Sequence, residues 1–210
     1  DLSLITREVF VAGGMIIALH NLAMYALLCE LPSALDKVLN LGTHRSGPLL
    51  GALMVSMVVA SPIAGRLTDR LGARVVAVTG CSVALCGIAS LILTPLAGPA
   101  SAIPGLVMMG LGLGLSASPA QVSAMTAVPP QASGVAAALL ATLRYLGGVT
   151  GIVILGFVWS GSSDHQVALA EHQLTLRCFS VSLTLAFLCA FLLPKRTPTV
   201  STPTDGAPAR

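Results

Sequence analysis

The chain is 210 residues long, 55% hydrophobic and only 9% charged, with a mean hydropathy of +0.90, whereas a soluble domain carries roughly 25% charge. Its 11 Lys and Arg residues against 8 acids leave a net charge of +3, too small and too scattered for the basic stripe of a nucleic-acid binder. A water-facing globular domain and a nucleic-acid partner are both excluded, and the lipid bilayer is the solvent that fits.

About 20 apolar residues, each rising 1.5 Å, cross the roughly 30 Å hydrocarbon core. Six runs have that length: Val9 to Leu31, Gly47 to Ala64, Val75 to Leu96, Ile103 to Val128, Ser133 to Trp159, and Leu174 to Leu193. The expected fold is an all-α membrane protein whose six transmembrane helices form one bundle over residues 1–196. Connections are expected at Pro32 to Ser46, Gly65 to Arg74, Ala97 to Ala102, Pro129 to Ala132, and Ser160 to Gln173. The tail at 197–210, rich in Pro, Thr and Ala, cannot bury a core and is expected to be disordered. With the N-terminus inside, Arg7, Arg66, Arg70, Arg74, Lys195, Arg196 and Arg210 fall on the inner side. Only Lys37, Arg45 and Arg177 fall outside, and Arg144 lies within a span. This bias predicts both termini in the cytoplasm.

In the first span, His20 and Asn21 lie about 12 residues in, near half depth at 1.5 Å per residue. They read either as lining a cavity or as bonded contacts between helices. Glu30, near the outer end, reads as an interfacial carboxylate or as a proton carrier. Lying about 10 Å or more from mid-depth, it is a poor counter-ion for Arg144. The expected outer loops hold His44, Arg45, His165 and His172, which are read as solvated. Pro62 and Pro119, inside or near the ends of spans, remove backbone donors and mark kinks, hinges or cavity walls. Three glycine pairs four apart, Gly47/Gly51, Gly110/Gly114 and Gly147/Gly151, open grooves for close helix packing. Cys29, Cys81, Cys86, Cys178 and Cys189 sit in or beside apolar runs, without metal or disulfide spacing, and read as small hydrophobes.

Arg144 is the most informative polar residue. A charge near the bilayer centre costs about 2.5–3.5 kcal/mol on insertion scales, so it should face protein or water. Ala137, Ala141, Gly148 and Gly151 share its helix face. It reads as part of a transport path or as a cap for broken-helix carbonyls. If the fourth and fifth spans form a tight hairpin around Pro129-Pro130, Arg144 lies level with Ser116 and Ser118. Gln121 then falls nearer the cytoplasmic end as a packing hydrogen bond.

The string Gly65-Arg66-Leu67-Thr68-Asp69-Arg70-Leu71-Gly72-Ala73-Arg74 joins the second and third spans. Gly65 and Gly72 allow a tight turn between antiparallel helices. Asp69 can accept from exposed N–H groups at a helix start. Arg66, Arg70 and Arg74 can pair with it, cap carbonyls or meet anionic headgroups. Taken alone, the string also suits an ordinary basic loop that fixes topology. It resembles the G-x-L-a-D-r-x-G-r-k signature of the major facilitator superfamily, with Ala73 where that family often has a basic residue. Asp1 to Phe10 looks like the junction before a C-terminal half, and Gly110-Leu111-Gly112-Leu113-Gly114 with Pro119 looks like its fourth span. Pro129 to Ala136, then Arg144-Tyr145-Leu146-Gly147-Gly148 and Gly151, resemble the fifth span of the fourteen-span drug/proton antiporter branch. There Gln is common where Tyr145 stands.

The resemblance implies a half bundle of two three-helix inverted repeats, here Asp1 to Gly98 and Pro99 to Lys195. Substrate would bind near mid-membrane between this half and another. It further implies proton-coupled efflux of drugs, antibiotics or other amphipathic small molecules across the plasma membrane. The proton gradient, with no cofactor, would supply the energy. The expected partners are the bilayer, a small-molecule substrate and an N-terminal transporter half, because a chain opening on Asp1 reads as a piece of a larger protein. Uptake of a nutrient or metabolite, and a non-transporting truncated subunit or scaffold, stand as alternatives. No phosphate-cradling loop, Ser/His/Asp arrangement or metal spacing survives the membrane assignment, so no enzyme is expected.

Overall fold

The computed structural model describes residues 8–39, 46–94, 99–159 and 165–195. Six helices account for nearly all of them: α1 Glu8–Leu39, α2 Ser46–Leu71, α3 Ala73–Leu93, α4 Pro99–Thr126, α5 Ser133–Val158 and α6 His165–Ala190. A 3-10 turn, Pro130–Ala132, precedes α5. Each helix contains an apolar stretch long enough to cross a membrane, and no strand occurs among the described residues. The expected tail, together with His44 and Arg45, lies outside the described residues.

Several helices run beyond the apolar runs, because hydropathy marks where lipid begins and not where a helix begins. α1 passes through Pro32 to Leu39, where a connection was expected. A proline removes one backbone donor, but the Ala, Leu, Asp and Lys that follow do not require the helix to stop. α6 starts at His165 rather than Leu174, which moves His172 out of the expected loop and into the helix. The connection expected over Gly65 to Arg74 shrinks to a single residue. Gly72, at φ 86° and ψ 154°, occupies a region open only to glycine, and its N–H bonds Thr68 O at 2.9 Å. Gly65 lies inside α2 with open space around it and makes no turn.

α1 and α4 form the centre of the bundle. Their membrane-length windows are 50% buried, against 28% for α2 and α5. α4 packs on α2 and α3, α1 packs on α5 and α6, α1 meets α4, and α3 meets α6. Exchanging α1–α2–α3 for α4–α5–α6 maps this pattern onto itself. The chain is therefore two three-helix inverted repeats, each lending its first helix to the other. The expected hairpin between α4 and α5 does not form. The two barely touch, because each packs on a helix of the opposite repeat.

Backbone approach sets these distances. A Cβ on Gly110 would lie 2.3 Å from Leu53 O, and one on Gly114 2.5 Å from Met57 O, so α2 sits in the α4 groove. Gly147 and Gly151 receive α1 in the same way, at 2.1 Å from Ala18 O and 2.2 Å from Leu22 O. Gly112 faces α3, where a Cβ would lie 2.3 Å from the Ala84 backbone N. Gly47 and Gly51 have nothing within 4 Å, so that pair is not a packing groove. Leu27, Leu53, Ile88, Met109 and Phe179 fill one cluster, while Phe10, Ile16, Cys81, Ala124 and Leu140 fill another.

Gly112→Ala and Gly47→Ala should therefore move stability in opposite directions. The first drives a methyl into backbone and should cost about 1–3 kcal/mol, or roughly 2–10 °C in Tm. The second adds helix propensity in open space and should be neutral or slightly stabilising. Thermal unfolding in detergent measures both, and an equal response at the two sites would contradict this account of the packing.

Candidate functional site

Near mid-bundle, α1, α2, α4 and α5 line a partly open cavity of about 340 Å3. Ile17, His20, Asn21, Met24, Tyr25, Met57, Leu113, Ala117 and Arg144 line it, and α3 and α6 contribute nothing to its walls. Gly148 leaves room for the Tyr25 ring, which a Cβ there would approach to 3.0 Å. Most of the wall is apolar. Met24 and Met57 bring flexible, polarizable side chains that can adapt to differently shaped guests.

His20 is buried and bridges three helices. Cys81 of α3 lies 3.7 Å from its Nε2, and Ser116 Oγ of α4 lies 3.4 Å from its Nδ1. Ser116 commits its own proton to Gly112 O at 2.8 Å, so the imidazole donates from Nδ1 and accepts the Cys81 S–H at Nε2. Asn21 makes a different contact from the one expected between helices. Its Nδ2 donates to Ile17 O within α1 at 2.7 Å, which leaves Oδ1 as an acceptor for a guest. Ser116 thus stands behind the imidazole, while Ser118 is half-buried and does not line the cavity.

Arg144 reaches the cavity from α5, and its Nη2 donates to Gln121 Oε1 of α4 at 2.7 Å. The depth argument from the sequence placed it level with Ser116 and Ser118. That argument took Cα heights, but side chains on a helix lean toward its N-terminus. The guanidinium therefore drops to the level of Gln121. No acid forms an ion pair with Arg144 among the described residues, so a positive charge faces the cavity with donors to spare.

Glu30 is buried on α1 and ion-paired with His172 of α6, which is buried in turn. The reading of His172 as a solvated loop residue is corrected with it. α1 and α6 run antiparallel, and Ser182 Oγ donates to Leu19 O at 2.9 Å in the same register. The sequence signal that could have found the pair is Glu171-His172 preceding the apolar run: continued back as helix, it comes level with Glu30.

At the opposite end, Arg66, Asp69 and Arg70 ride on the last turns of α2 and line an open cleft with Ile63 and Leu67. Asp69 therefore ends one helix rather than starting the next, and the N-cap Gly72 has no side-chain cap. No ion pair engages these three side chains among the described residues. Arg74 acts differently. Its Nε donates to Leu193 O at 2.7 Å, and its backbone N bonds Pro194 O at 3.2 Å. It thereby ties the start of α3 to the chain leaving α6.

Comparison with known proteins agrees with this architecture. The model of the Major Facilitator Superfamily matches residues 2–152. Multidrug resistance protein Stp of Mycobacterium tuberculosis is 29% identical over 65% of this chain, a match that covers 25% of its own length. Riboflavin transporter RibZ of Clostridioides difficile is 29% identical over 82% of this chain and 38% of its own length. Puromycin resistance protein pur8 of Streptomyces alboniger is 28% identical over 77% of this chain and 33% of its own length. The chain thus spans well under half the length of these relatives. With the family match reaching across most of its six membrane-length helices, this multi-pass membrane protein belongs to the Major Facilitator Superfamily.

Proposed function

We propose that the chain is one six-helix half of a proton-coupled exporter of amphipathic small molecules such as drugs or antibiotics. It sits in the plasma membrane with both termini in the cytoplasm, as the Lys/Arg bias supports. The observation that carries this reading is the mid-bundle cavity, in which a guanidinium, an imidazole and an amide stand in an otherwise apolar wall. Apolar bulk fits against Met24, Met57 and Leu113, while an acceptor on the guest meets Arg144. A second six-helix bundle would close the open side. The uncovered apolar faces of α2 and α5, at Val55, Val58, Val149 and Phe157, suit both that bundle and lipid. Transport follows if guest and proton bind the inward- and outward-facing states with different affinity, since only a differential affinity shifts such an equilibrium.

Relatives named for multidrug and puromycin resistance support export. The relative named as a riboflavin transporter supports a second reading, uptake of a metabolite. Energised everted vesicles carrying this chain with its companion bundle should accumulate an amphipathic antibiotic such as puromycin. Accumulation confined to right-side-out vesicles would decide for uptake.

Arg144→Ala should weaken guest binding by roughly 10–100-fold, since a hydrogen bond to a charged group contributes about 1.5–3 kcal/mol. Gln121→Ala leaves the charge in place and should cost less. Transport rates over a range of substrate concentrations measure both, with helix content as the check on folding. Equal, unchanged rates in the two variants would reduce the Arg144–Gln121 bridge to packing.

A further inference from the structure

The mid-bundle cavity carries an unbalanced charge. Arg144 supplies a permanent positive charge to its wall, and no Asp or Glu lines it. Glu30 stands about 15 Å along α1 from His20 and is ion-paired with His172. Asp69 stands about 18 Å along α2 from Met57, in the cleft at the Gly72 end. Neither pairs with Arg144. His20 has both ring nitrogens engaged, by Ser116 and Cys81, so it offers a guest little. A guanidinium has five N–H donors, and Gln121 takes one of them through Nη2.

A lone charge at mid-membrane is costly, and in an apolar wall an opposite charge at close range relieves it most. A planar oxyanion suits the fixed fork of the guanidinium better than a neutral acceptor does. A cation of the same shape would add like charge and find no acid to receive it. The rest of the wall has an aromatic character. Gly148, about one turn beyond Arg144 on α5, seats the Tyr25 ring, and Met24 and Met57 present sulfurs that make favourable contacts with aromatic rings. The guanidinium leans the other way, toward Gln121. The charged and aromatic parts of the wall therefore stand at different heights, as an elongated guest requires. At about 340 Å3 the cavity lies near the lower end of the roughly 300–1,000 Å3 usual for ligand sites.

We propose that the guest of this cavity is a compact aromatic anion, bound with its carboxylate or similar oxyanion on Arg144 and its ring against Tyr25 and the two methionines. The oxyanion points toward the Gly72 end of the bundle and the ring away from it. Anion is preferred to cation because only the anion cancels the charge that the cavity already holds. Asn21 Oδ1, whose amide nitrogen is spent on Ile17 O, accepts from an N–H or O–H on the ring. The proposal names the guest class of the exporter reading above and rests on that reading only for the use of this cavity as the guest site. Direction and coupling of transport play no part in it.

The test uses the full chain in phosphatidylcholine nanodiscs, with naphthalene carboxylate, naphthalene carboxamide and naphthylmethylammonium as probes of similar shape and different charge. Equilibrium dialysis, with binding to empty nanodiscs subtracted, should find the carboxylate bound roughly 10–100-fold more tightly than the carboxamide, and the ammonium weakest. Arg144→Gln should erase that preference, and Arg144→Lys, which keeps the charge without the fork, should retain part of it. Should Arg144→Gln fail to fold, Asn21→Asp sets a carboxylate in the same cavity as the guanidinium and should erase the preference from the other side. Tyr25→Leu should weaken carboxylate and carboxamide alike. The proposal is overturned by absence of saturable carboxylate binding, by ammonium binding as tight as the carboxylate, or by a preference that survives Arg144→Gln and Asn21→Asp. Unchanged affinities in Tyr25→Leu overturn its aromatic part. Displacement of the carboxylate when phosphatidylglycerol replaces part of the lipid assigns the anion to a lipid headgroup and overturns the small-molecule guest. If the carboxylate binds as expected while vesicles with the companion bundle move neither it nor puromycin, the guest class stands and the exporter reading falls. If everted vesicles accumulate puromycin and no Arg144-dependent carboxylate binding is found, the guest class falls and the exporter reading stands.

Discussion

α4 approaches its neighbours backbone to backbone, and the placement of the polar groups around the mid-bundle cavity depends on that approach. Lipid tails are as apolar as leucine, so no hydrophobic force drives helices together within the bilayer. Dispersion between closely apposed surfaces must do so, and it falls steeply with even a small gap. α4 meets the requirement on three sides: Gly110 and Gly114 toward α2, Gly105 and Gly112 toward α3, and Ala120 against Gly13 of α1. Main chain on main chain leaves little freedom in relative height. A contact such as Ser116 to His20, at 3.4 Å between α4 and α1, needs that constraint, because a slip of one turn would move it by about 5.4 Å.

α1 is the element on which both polar sites converge. His20 and Asn21 look into the mid-bundle cavity, and Glu30, about 15 Å further along the same helix, meets α6. On either side of His20 and Asn21, Ala18 and Leu22 lie against Gly147 and Gly151 of α5, the helix that brings Arg144. The cavity and the Glu30–His172 pair thus share one wall. A change in the seating of α1 on α6 bears directly on the helix that lines the guest site, through contacts already made and without a chain of intermediates.

Length and hydropathy were enough to read six crossings from the sequence, because a 30 Å apolar slab imposes about 20 apolar residues on any helix that crosses it. They could not show where the helices end, since Gln166 to Gln173 is polar yet helical and Gly65 to Leu71 is charged yet helical. The turn at Gly72 was legible because only glycine tolerates its backbone. Arg144, His20 and Asn21 were legible as a group because polar residues at one depth in apolar helices have few places to go. The level of the Arg144 guanidinium and the place of His172 were missed for separate reasons: Cα heights ignore the lean of a helical side chain, and α6 starts at His165, well before its apolar run. Glu30 was visible as a lone carboxylate, but its burial was not, because the partner that makes burial tolerable lies 142 positions away.

The two repeats show little similarity residue by residue, and the glycines explain how they can still be one structure used twice. The symmetry that exchanges α1 with α4 and α2 with α5 pairs the α1–α5 interface with the α4–α2 interface. In the first, the glycines are Gly147 and Gly151 on the repeat's second helix, facing Ala18 and Leu22. In the second they are Gly110 and Gly114 on the repeat's first helix, facing Leu53 and Met57. Close approach needs one smooth surface, and it is indifferent to which partner supplies it. Selection acting on the distance between backbones can therefore preserve the fold while the glycines change sides, which erases the repeat from the sequence and leaves it in the packing. The same freedom lets the halves diverge in chemistry: α1 carries the imidazole, amide and carboxylate, while its counterpart α4 carries Ser116, which meets the imidazole, and Gln121, which accepts from Arg144 of α5.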